Sequence, residues 1–71
     1  MDAREWLAVY ADRLGVPTPT DEELDTLLAL AGVAAHSSER IAAPIACWLS
    51  ARAGIAPAQA LAEAREVTGD S

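Results

Sequence analysis

The chain has 71 residues, 52% of them hydrophobic, and a formal charge of -6 from eleven acidic groups against five arginines and no lysine. A chain this short forms one domain at most and buries only about 60% of its unfolded surface, and the alanine that supplies much of its apolar content brings little area per residue. The acidic balance opposes a phosphate backbone and excludes nucleic acid as an expected partner, while one cysteine and one histidine assemble neither an internal disulfide nor a zinc site.

No uninterrupted apolar run reaches the roughly 18 residues of a membrane span, and the opening Met1-Asp2-Ala3-Arg4-Glu5 lacks the basic start and apolar core of an export signal. A cytoplasmic setting without membrane contact is expected. So thin a core needs alanine's helix propensity or a partner surface to support it, which makes a dimer or a neighbouring domain a natural expectation.

Asp2 followed three residues later by Glu5 marks a helix start with a reciprocal acidic partner, and helix 1 is expected over 3–14. Trp6, Val9, Tyr10 and Arg13 recur at helical spacing with Leu7 and Leu14 beside them, so this broad stripe is expected to face the core. Gly15 and Pro17 end the helix. Thr20-Asp21-Glu22-Glu23 spells a capping box that opens helix 2, expected over 21–39, and its all-acidic first turn suits the helix dipole and solvent. Leu27 to Ala35 carries no charge, so this half of the helix must be covered on more than one side.

Helix 3 is expected over 41–53, with Ile41, Ile45, Trp48, Leu49 and Arg52 along one row. Ala43, Cys47, Ser50 and Gly54 form a small-residue side that another helix can approach closely, with Cys47 packed rather than reactive. Pro44 is tolerable only in the first turns. Ala53-Gly54-Ile55-Ala56-Pro57 repeats the earlier glycine–proline stop, and helix 4, over 57–67, offers only the slim row Leu61, Ala64, Thr68. It is expected to be the least anchored helix, with residues 68–71 frayed. The fold class is all-α, a compact four-helix domain with short Gly/Pro connections.

Ionisable groups interrupt the apolar run only at Ala35-His36-Ser37-Ser38-Glu39-Arg40. With helix 2 reaching Glu39, the side chains of His36, Glu39 and Arg40 share a face through the i+3 and i+4 relations. Two readings stay open. In one, Glu39 pairs with Arg13 or Arg40 and His36 closes helix 2 on its last carbonyls. In the other, Arg40 and His36 grip an anion or nucleotide, or a partner. Ser37 and Ser38 beside His36 do not make a catalytic triad, because adjacent helical residues diverge and no oxyanion hole is encoded. No catalytic residue, metal ligand or cofactor is therefore expected. Trp6 and Trp48 are read as core first; an exposed tryptophan becomes the better interface anchor, so Trp48 joins His36, Glu39 and Arg40 as a candidate contact.

The run Leu27 to Ala46, with Ala35-His36, two variable residues, Glu39-Arg40, two variable residues and Ala43-Pro44, resembles the signature of a small uncharacterised bacterial helical domain. Such domains occur alone or as C-terminal appendages of molybdenum cofactor guanylyltransferase proteins. The resemblance implies an association with cofactor maturation and a protein partner, either a cofactor-biosynthesis enzyme or a second copy. The chain has no glycine-rich nucleotide loop, no βαβ alternation and no metal-binding aspartates for guanylyl transfer, and no Asp-Ser-Leu attachment site of an acyl carrier. The expected function is a non-catalytic accessory or interaction domain of molybdopterin-guanine dinucleotide biosynthesis, with small-anion binding as the alternative.

Overall fold

The computed structural model describes residues 1–69. Four helices follow one another: α1 (Ala3–Leu14), α2 (Asp21–Ser37), α3 (Ala42–Ala53) and α4 (Pro57–Thr68), with no strand among the described residues. The all-α expectation holds, and local chemistry explains most of the helix ends. The Asp2 carboxylate accepts from the Glu5 backbone N–H at 2.8 Å, although Glu5 does not return the bond. At α2 both halves of the capping box form: Glu23 N–H donates to the Thr20 hydroxyl at 3.1 Å, and Thr20 N–H donates to the Glu23 carboxylate at 2.8 Å. Gly15 terminates α1 at φ 74°. There its N–H reaches Asp12 C=O while Val16 N–H reaches Ala11 C=O, each at 3.0 Å, which is the Schellman pattern.

The junction between α2 and α3 departs from expectation. α2 stops at Ser37 rather than Glu39, and α3 starts at Ala42 rather than Ile41. Pro44 accounts for the break. In a helix running through Arg40, Pro44 would leave the Arg40 carbonyl without its donor and press its ring against that carbonyl. Instead Arg40 C=O accepts from Ala43 N–H at 3.1 Å and Glu39 C=O from Ala42 N–H at 2.9 Å, a tight turn that places Pro44 within the first helical turn. α4 ends one residue later than expected, at Thr68, with Gly69 as its left-handed cap. Of the tail expected to fray, residues 70 and 71 lie outside the described residues.

α2 is the central element. It packs against both α3 and α4, as an all-round apolar helix requires, and Leu30 on it is only 1% exposed. No residue from Ala29 to Ala35 is exposed. α4, expected to be the least anchored, is instead docked firmly on α2 with Ala60 buried. The loosely held helix is α1, which makes no helix–helix packing of comparable extent. It is tethered by buried Ala11, by half-buried Leu7 beside Pro19 and Leu24, and by an exposed Arg4–Asp21 ion pair. A pair so open to water contributes at most about 1 kcal/mol.

Candidate interaction surface

α3 is built inside out. Its inward side, half-buried against α2, consists of Ala42, Ala43, Ala46, Cys47 and Ser50, with the Ser50 hydroxyl satisfied by Ala46 C=O at 2.8 Å. Small side chains let the two axes approach closely. The large residues point the other way: Ile45 is 55% and Trp48 57% exposed, with Ile41 and Leu49 likewise in water. Trp48 is therefore not core. The Arg52 guanidinium lies 5.1 Å from the Trp48 ring centroid, a cation–π contact on the outer side of α3. The stretch from Arg40 to Ala62 carries two arginines, Arg40 and Arg52, and no acidic residue, in a chain of net charge -6.

The expected His36, Glu39 and Arg40 trio does not share a helical face. His36 sits in the last turn of α2, whereas Glu39 and Arg40 belong to the turn that follows. All three are exposed, and among the described residues their side chains make no hydrogen bond or ion pair with one another or with Arg13. The clasp is absent, and none of the three lines the groove between α3 and α4 or the crevices beside α1. Arg40 instead flanks the α3 outer face beside Ile41. Nor do three or more His, Cys, Asp or Glu side chains gather among the described residues to hold a metal ion.

A second exposed apolar surface was not anticipated. The stripe of α1 expected to be core faces water: Trp6 is 52% exposed, and Val9, Tyr10 and Leu14 stand open beside it. The Trp6 and Tyr10 rings pack on each other with centroids 5.0 Å apart. The helix turns its smaller side inward, through Leu7, Ala8 and Ala11. One signal was legible, since Arg13 occupies the same row as the aromatics and a core stripe rarely carries an arginine. Between α3 and α4 lies a third feature, an apolar groove of about 380 Å³ above α2.

Residues 1–70 match a family model described as Domain of unknown function (DUF6457). The chain belongs to this family. The match spans all four helices, so the inverted α3, the exposed α1 row and the groove are features of a DUF6457 domain as this sequence builds it. No curated protein and no solved structure matches the chain. No helix among the described residues is long and apolar enough to cross a membrane.

Proposed function

We propose that this DUF6457 chain is a non-catalytic interaction domain that docks on an enzyme of molybdenum cofactor biosynthesis in the cytoplasm, through the outer face of α3. The observation that carries the docking reading is the inversion of α3: alanines face inward, while Ile41, Ile45, Trp48 and Leu49 face water. Trp48 flanked by arginine has the composition of an interface hot spot. Arg40 and Arg52 add a positive rim suited to an acidic partner surface. The choice of partner rests on the resemblance of the Ala35–Pro44 stretch to domains appended to molybdenum cofactor guanylyltransferases.

Titration calorimetry of the chain against a purified molybdenum cofactor guanylyltransferase tests both parts. Saturable binding is expected, weakened by about 2 kcal/mol or more in Trp48→Ala, the usual loss at a tryptophan hot spot. No binding to that enzyme removes the assignment to cofactor biosynthesis. Binding that ignores Trp48→Ala and Ile45→Asp moves the contact off α3.

A further inference from the structure

Two parts of this molecule are mismatched in opposite senses. α3 and α4 both pack on α2 but not to a comparable extent on each other, and the groove left between them is apolar, lined by alanines together with Leu49, Ile55 and Val67. Val33 and Ala34 form its floor, with Ala42 and Ala46 on one wall and Ala60 and Ala64 on the other. The groove is an open apolar recess with alanines on both walls. α1 has knobs and no holes, since Trp6, Val9 and Tyr10 project into water from a helix that packs weakly on its own chain.

From this complementarity we infer that the groove takes the α1 helix of a second copy, and that the two copies exchange this contact reciprocally in a homodimer. Length agrees: α1, α3 and α4 have 12 residues each, about 18 Å of helix, so an inserted α1 runs the full length of both walls. Charge agrees as well. Among the described residues the only ionisable one lining the groove is Glu63, and the only one in the exposed α1 row is Arg13, so insertion sets an arginine against a carboxylate. Area supports a partner of this size. A monomer of 7.4 kDa is expected to expose about 4,200 Å², whereas this chain exposes 5399 Å². The excess of about 1,200 Å² exceeds the roughly 800 Å² that each partner buries in a standard interface. A contact made once in each direction closes on itself and stops at two copies.

This inference extends the interaction-domain reading, but its groove shares only Leu49 with the α3 outer surface and leaves Trp48 and Ile45 out, so the two fail separately. The experiment is light scattering behind size exclusion over a wide concentration range, with helicity checked by circular dichroism. A dimer is expected for the wild-type chain. Arg13→Glu and Glu63→Arg, each alone, should raise the dimer dissociation constant by about tenfold or more, because each sets like charges opposite each other. An equimolar mixture of the two variants should recover association, since in the mixed dimer one contact keeps the native Arg13–Glu63 pair and the other carries the same two charges exchanged. Tyr10→Asp, at an exposed position, should yield a folded monomer.

A wild-type chain that stays monomeric at every concentration overturns the inference and leaves docking to an enzyme standing. A dimer that survives Tyr10→Asp and both charge reversals but is lost in Trp48→Ala also overturns it, because the copies then meet through α3. A mixture no stronger than the separate variants excludes the Arg13–Glu63 contact and with it this mode of insertion.

Discussion

α1 and α4 have the same length, and both end in a left-handed glycine, yet their fates are opposite. α4 has the poorer apolar row and is firmly docked; α1 carries Trp6, Val9, Tyr10 and Leu14 and is held at its edge. In a domain this small, docking follows closeness of approach more than the hydrophobicity of a stripe. Ala60 lets α4 settle against α2, where many atoms of both helices come within contact distance. A helix presenting tryptophan and tyrosine would stand off by a ring's width and need a cavity that 71 residues do not build.

The largest expected effect is at the floor on which α3 and α4 rest. Leu30→Ala should destabilise the domain by about 3 kcal/mol, as a lost core leucine that leaves a cavity does, and urea titration followed by circular dichroism reads it directly. A loss below about 1 kcal/mol would show that α2 is not the hub. Ala60→Leu should cost about 2 kcal/mol by forcing α4 away from α2. The same denaturation curve checks it, and a neutral result would break the claim that close approach docks α4.

Gly15→Ala should cost about 1 kcal/mol. An added Cβ meets nothing within 4 Å, so the whole penalty is the left-handed backbone at φ 74°. Thermal unfolding should shift by several degrees, as about 1 kcal/mol does in so small a domain. Smallest is Trp6→Ala on dilute monomer, expected to change stability by no more than about 0.5 kcal/mol, the range of surface substitutions. A loss of core size would mean that the indole packs on helices beyond α1, and the contrast between α1 and α4 would disappear.

Much of the fold was legible because helix ends are local. Thr20 and Glu23 satisfy each other across three residues, and Gly15 with Pro17 ends α1 whatever surrounds it. The all-round apolar run from Leu27 to Ala35 likewise marks a helix covered on two sides. The α2–α3 boundary was misplaced because the ionisable residues His36, Glu39 and Arg40 continue helical spacing, while the backbone consequence of Pro44 is felt four residues upstream. The site was less legible. Trp48 was read as core first and is exposed, and the exposed row of α1 was likewise taken for core, because periodicity measures how apolar a face is, not whether anything opposes it.

From its residues alone this chain determined four helices, their caps, its acidic charge and its want of a large core, since each depends on neighbours a few positions away or on composition. Only the tertiary arrangement decided which sides of α1 and α3 turn inward. Both helices are apolar on two sides, and the choice falls to the side whose small residues permit the closest packing, a property of pairs of helices rather than of either alone.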